Sequence, residues 1–144
     1  MEVAYAIHNA VGTSISGNID LLRNLVKLQE IEIWGNKNTV NGSIETFVSN
    51  HSGKRLWQIT IVWMDSDYAY RGMIDNGIYG DISVFANYYD MGKLQISGYS
   101  TITGELKSLK NLKKIYYVFL RRCSCTGSKA DLYNNGANIS TFSV

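Results

Sequence analysis

Leu28-Gln29-Glu30-Ile31-Glu32-Ile33 carries apolar residues at its first, fourth and sixth places and polar ones between them. The same spacing returns in Leu56-Trp57-Gln58-Ile59-Thr60-Ile61, in Met91-Gly92-Lys93-Leu94-Gln95-Ile96 and in Ile115-Tyr116-Tyr117-Val118-Phe119-Leu120. A fifth copy, Ile139-Ser140-Thr141-Phe142-Ser143-Val144, closes the chain. Apolar residues two apart mark a strand with one buried face. Counted from Leu28, Leu56, Met91, Ile115 and Ile139, the intervals are 28, 35, 24 and 24 residues. Two intervals therefore sit on a 24-residue period and two carry insertions. The larger insertion falls at about residues 62–79, the smaller near Ser49-Asn50-His51-Ser52-Gly53.

A second landmark recurs out of phase with the first. Ile15-Ser16-Gly17-Asn18-Ile19 is matched by Val40-Asn41-Gly42-Ser43-Ile44, Ile78-Tyr79-Gly80-Asp81-Ile82 and Ile102-Thr103-Gly104-Glu105-Leu106, with Cys125-Thr126-Gly127 a fainter copy. Leu22, Leu25 and Leu28 follow Gly17 at the same offsets as Leu109, Leu112 and Ile115 follow Gly104. An internal period of this length is the signature of a repeat architecture.

One such repeat cannot bury its apolar stripe alone, so successive units must stack. Stacking predicts three interior columns: Leu28, Leu56, Met91, Ile115 and Ile139; then Ile31, Ile59, Leu94, Val118 and Phe142; then Ile33, Ile61, Ile96, Leu120 and Val144. Val3, Tyr5 and Ile7 alternate and are expected to supply one more strand at the start.

Leu28 through Asn36 and Ile115 through Cys125 resemble the leucine-rich-repeat pattern L-x-x-L-x-L-x-x-N/C-x-L, with Asn36 and Cys123 at its Asn/Cys place. The Gly-x-Ile that follows each turn is similar to the 24-residue variant of that family. Met64 and Tyr99 depart from the pattern at the Asn place, and the prolines of the plant variant are missing. The resemblance implies an α/β or mainly β solenoid: a right-handed coil of about six turns, with one parallel sheet on its concave face and an irregular convex side. A single domain over residues 1–144 is expected.

Composition narrows the function. The chain has 144 residues, 45% of them hydrophobic, and a formal net charge of +2. That is core-forming material rather than a disordered segment, and the charge is too small to point to nucleic acid. Lys107, Lys110, Lys113 and Lys114 read more simply as a solvated outer face than as a phosphate track. No apolar run approaches the ~20 residues that a membrane helix needs, so no membrane insertion is expected. The N-terminus lacks the basic and apolar regions of a signal peptide. Localisation therefore stays open, with a virion or a cell surface as the expected setting.

Two cysteines, Cys123 and Cys125, cannot define a disulfide framework. His8 and His51 lack metal-ligand spacing with them, and a packed thiol is the simpler reading of each cysteine. Asp65 and Asp67 read as a solvated loop before they read as a calcium site. No nucleophile elbow, phosphate loop or histidine–carboxylate pairing is present. Neither catalytic residue, cofactor nor metal is expected, and the chain reads as a non-enzyme.

The aromatic residues are the candidates for binding. The row Glu32, Thr60, Gln95, Phe119 and Ser143 is expected to face outward on the sheet. Trp34, Val62, Ser97 and Arg121 lie on one side of it, and Glu30, Gln58, Lys93 and Tyr117 on the other. Exposed Trp, Tyr and Arg dominate interface hot spots, which singles out Trp34, Trp57, Tyr117, Phe119 and Arg121. Trp63, Tyr68 and Tyr70 ride on the long insertion, and long loops in compact folds tend to be functional. The expected function is a protein-interaction or structural module, alternatively a glycan-binding one. The Asn-, Ser- and Tyr-rich, proline-free composition resembles repeat proteins of gut bacteria and their phages, so a phage virion or tail component or a bacterial surface component is the specific form of it. The fifth motif ends at Val144 with no cap after it, which leaves three readings: truncation, a helix or strand from a partner, or self-stacking.

Overall fold

The computed structural model describes residues 5–8, 16–35, 39–51, 54–63, 77–96, 101–120, 123–133 and 138–144. The strands of one sheet are β1 (Tyr5–His8), β3 (Leu28–Gly35), β5 (Gln58–Trp63), β7 (Lys93–Ile96), β9 (Tyr117–Phe119) and β11 (Thr141–Ser143). They lie side by side in that order, all parallel. The remaining strands, β2 (Ser16–Asn18), β4 (Thr39–Ser43), β6 (Ile78–Asp81), β8 (Thr101–Glu105) and β10 (Ser124–Thr126), form a second parallel sheet in the same sequential order. The chain thus visits the two sheets alternately.

The first sheet is built from the repeated motif, and its register follows the motif residue for residue. Ile31 pairs with Ile59, Ile59 with Leu94, and Leu94 with Val118. Ile33, Ile61 and Ile96 are aligned likewise. These residues and Leu28, Leu56, Met91, Ile115 and Ile139 are buried. At β11 the columns thin out: Phe142 is half-buried and Val144 is exposed. Tyr5–His8 is the expected extra strand, joined to β3 through a register shift between Tyr5 and Ala6.

The second sheet corrects an expectation. The resemblance implied one sheet and an irregular opposite side, but the glycine landmarks are themselves parallel strands. They escape a pattern reading because they are only three to five residues long and expose most of their side chains. One interior residue anchors each of three of them: Val40, Ile78 and Ile102.

Each of four glycine strands turns into a short helix. The 3₁₀ turns Ile19–Asn24, Ile82–Phe85 and Leu106–Leu109 and the helix α1 (Ile44–Val48) start directly after β2, β6, β8 and β4. Their caps are the residues just after the glycine. Asn18 accepts from the Asp20 nitrogen, Ser43 from that of Thr46, and Asp81 from that of Ser83. A polar side chain here satisfies a backbone donor that the helix leaves unpaired. Glycine is required one place earlier. Gly104 has φ +120°, and a Cβ there would stand 2.5 Å from Asp81 Oδ1 and 2.8 Å from Ile82 Cγ1. The helices deliver the rest of the core: Ile19, Ile44, Ile82 and Leu106, and behind them Phe47, Phe85 and Leu109.

Candidate functional site

In the first sheet, the place just before or at the start of the strand is held by Gln29, Trp57, Gly92, Tyr116 and Ser140. Their backbone groups form a continuous ladder. Trp57 N–H donates to the Gln29 carbonyl, Gly92 N–H to that of Trp57, Tyr116 N–H to that of Gly92, and Ser140 N–H to that of Tyr116. Parallel strands stand about 4.8 Å apart, so Trp57 and Tyr116 sit two strand spacings apart with glycine between them. The Tyr116 ring uses that gap: its Cε1 lies 2.9 Å from the position a Cβ on Gly92 would take.

Two residues earlier, on the same side of the buried column, lies a charged row. Arg55, Asp90 and Lys114 occupy it, and Lys114 Nζ pairs with the Asp90 carboxylate. Together these two rows line a cleft of about 690 Å³ whose walls are Gln29, Arg55, Trp57, Asp90, Gly92, Lys114 and Tyr116. Trp57 is half-buried, whereas Tyr116 is 42% exposed. The cleft offers aromatic surface, an amide, an acceptor and cationic donors within one opening. Among the described residues its lining carries a single carboxylate and no histidine, cysteine or serine.

Among the residues singled out from sequence, Trp57 alone lines this cleft. Tyr117 and Phe119 are half-buried in β9, on the outward face, with Lys93 Nζ 5.1 Å from the Tyr117 ring centroid. Trp34 and Trp63 belong to β3 and β5, next to Val62 and Gly35 respectively, and their side chains lie outside the described residues. Tyr68, Tyr70 and Arg121 lie outside them altogether, as do Asp65, Asp67, Met64, Tyr99 and most of the insertion. Tyr116, Gly92, Arg55, Asp90, Lys114 and Gln29 were missed. A signal existed, because Asp90 and Lys114, like Gly92 and Tyr116, are one 24-residue period apart.

The outward row is arranged as expected, with Glu32, Thr60, Gln95 and Phe119 in register. Its exposure is not. Thr60 is 0%, Gln95 2% and the adjacent Gln58 5% exposed. At strand spacing a short threonine between the longer Glu32 and Gln95 loses its solvent to them. The Gln58 amide donates to the Glu32 carboxylate, while Thr60 Oγ1 and Gln95 Oε1 have no hydrogen-bond partner.

His51 is also buried, at 3%, against the Phe47 ring at 5.2 Å. Its carbonyl accepts from the Lys54 nitrogen as those of Leu25, Tyr88 and Leu112 accept from residues three further on. His51 therefore fills the interior place that Tyr88 and Leu112 take in later repeats, whereas Leu25 at the matching place is exposed. Neither ring nitrogen has a side-chain or backbone partner of good geometry, and burial lowers its pKa against a weaker opposing pull from the Leu22 backbone. Cys123 Sγ approaches the Ile96 carbonyl at 3.7 Å and Cys125 Sγ that of Ile102 at 3.9 Å. Neither cysteine is in a disulfide, and hydrogen bonding to Cys123 together with burial pushes the Cys125 thiol well up. Among the described residues no group of three metal-ligating side chains gathers, and no helix is long and apolar enough to cross a membrane.

Comparison with family models, with curated proteins and with solved structures finds no match to this chain.

Proposed function

We propose that the chain is a non-enzymatic recognition module, a short leucine-rich-repeat solenoid whose side chains around Gly92 engage a partner. The solenoid reading is supported by the alternation of the chain between two parallel sheets and by the unbroken register of the apolar columns. One observation carries the functional reading. The cleft joins two aromatic side chains to an ion pair on the sheet surface, and its described lining holds no second carboxylate, histidine, cysteine or serine. An open mixed surface of this kind suits binding.

The test compares Trp57→Ala and Lys114→Glu with the control Lys107→Glu, whose site carries an exposed salt bridge to Glu105 away from the cleft. Immobilised chain should capture a macromolecule from the extract of its source, and the two cleft variants should lose it while keeping the circular dichroism of the parent. Equal capture by all three would sink the assignment of the cleft.

Pairing between copies through β11 is the second reading. Phe142 is only half-buried there, whereas its column partners Val118 and Leu94 are fully buried, and an edge strand is a template for another chain. Light scattering across a concentration series, on the parent and on Phe142→Lys, separates this from a monomeric module: a monomer mass at every concentration in the parent rules it out.

A further inference from the structure

We propose that the cleft around Gly92 takes a pyranose ring of a glycan, an inference that rests on the recognition reading of the same cleft. The backbone comes first. Trp57, Gly92 and Tyr116 directly precede β5, β7 and β9, and their N–H groups, with those of Lys93 and Tyr117, already donate to carbonyls of the neighbouring repeats. The Trp57 carbonyl accepts from both Gly92 and Lys93, and the Gly92 carbonyl from both Tyr116 and Tyr117. An extended peptide binds a sheet by adding a strand to its edge, and no such edge exists at this place. Recognition has to come from side chains.

Those side chains match a sugar. A pyranose presents a flat face of C–H groups and a rim of hydroxyls, so it needs aromatic surface with donors and acceptors close beside it. Trp57 and Tyr116 supply the surface, and the missing side chain of Gly92 lets the tyrosine ring settle against the backbone between them. Asp90 and Lys114 hold an acceptor and a donor side by side, in contact with each other and both more than half exposed. A pair of neighbouring hydroxyls can bridge such a pair, donating to Asp90 while accepting from Lys114. The Gln29 amide, with one donor group and one acceptor, stands at the other end of the cleft. The opening, about 690 Å³, is of the size that small-molecule sites have.

The experiment is saturation-transfer NMR with the methyl glycosides of glucose, galactose, mannose and N-acetylglucosamine, followed by a glycan array for longer chains. At least one pyranoside should receive saturation, strongest on the protons of its C–H face. Tyr116→Ala and Gly92→Val should each weaken it about tenfold, the loss of roughly one aromatic contact. Asp90→Asn, which keeps the volume but breaks the ion pair, should weaken it with no change in circular dichroism. Lys107→Ala should leave it unchanged. Silence from every glycoside and from the array overturns the saccharide, and so does transfer that persists in Tyr116→Ala and Gly92→Val. If capture of a macromolecule still depends on Trp57 in that case, the recognition reading survives alone. Cleavage of a glycoside during the measurement would instead end the non-enzymatic reading.

Discussion

The Glu45 carboxylate accepts a hydrogen bond of 2.7 Å from the backbone nitrogen of Asp81, the residue that caps the next repeat's helix. Its other oxygen accepts from the Ser43 hydroxyl, which caps Glu45's own helix, at 2.8 Å. One repeat earlier Asp20 accepts from the Ser43 nitrogen at 2.8 Å. Acidic side chains thus tie two of the capping residues, Ser43 and Asp81, to the repeat before them, and local helix capping becomes contact between repeats.

Glu45→Ala should therefore cost more than the loss of an exposed charge. Two hydrogen bonds to a carboxylate disappear, one of them holding the start of β6's helical turn in place. A loss of about 1–2 kcal/mol is expected, read as a lower urea midpoint with an unchanged slope. Glu45→Gln, which can still accept through its amide oxygen, should lie between the two. A midpoint for Glu45→Ala equal to that of the parent would show that the link contributes nothing.

The glycine strands give a second, comparative prediction. Gly17 and Gly104 both have positive φ, yet a Cβ on Gly17 meets nothing within 4 Å while one on Gly104 runs into Asp81 and Ile82. Gly17→Ala should carry the backbone strain alone, about 1–2 kcal/mol. Gly104→Ala adds the displacement of a helix cap and should cost clearly more, about 3 kcal/mol or above. Paired thermal melts check the order, and equal losses would contradict the close approach.

The first sheet was legible because its buried residues obey a strict spacing that survives two insertions. Ile31, Ile59, Leu94 and Val118 could be aligned by eye, and their pairing follows that alignment. The second sheet was visible only as a glycine landmark, because a strand such as Thr39–Ser43 has little alternation to read. The cleft was harder still. Its walls come from repeats separated by the 35-residue interval, so Trp57 and Asp90 become neighbours only once the register across that insertion is known. Emphasis on aromatic residues found Trp57, but it passed over Gly92, where the informative feature is a missing side chain. The buried place that His51 shares with Tyr88 and Leu112 has no sequence signature, because a histidine, a tyrosine and a leucine hold it, and it is marked instead by the carbonyl hydrogen bond common to all three.

Thr60 and Gln95 test the outward face. Thr60 Oγ1 is buried with no partner, and an unpaired buried hydroxyl costs about 1–3 kcal/mol. Valine has nearly the same shape without that group. Thr60→Val should raise stability by about 1 kcal/mol, against the usual sign of a core substitution. A destabilised Thr60→Val would mean that the hydroxyl is satisfied in solution.

His51 should make stability depend on pH in a defined window. Its pKa is lowered by burial from the ordinary 6.5, so between the lowered value and about 6.5 the unfolded chain binds a proton that the folded chain refuses. Stability then rises with pH across that window, by at most about 1.4 kcal/mol per pH unit from this group, and levels off above it. His51→Leu places there the side chain that Leu112 already supplies at the matching buried position. It removes the two unpaired nitrogens together with the titration. The variant should be at least as stable as the parent at pH 8 and should lead it increasingly as the pH falls from 6.5 to 5. Urea midpoints of both proteins over that range decide the matter. Parallel pH profiles would show that His51 finds a partner for its proton in the folded state, and a variant less stable than the parent at pH 8 would show that the ring is held by more than its packing against Phe47.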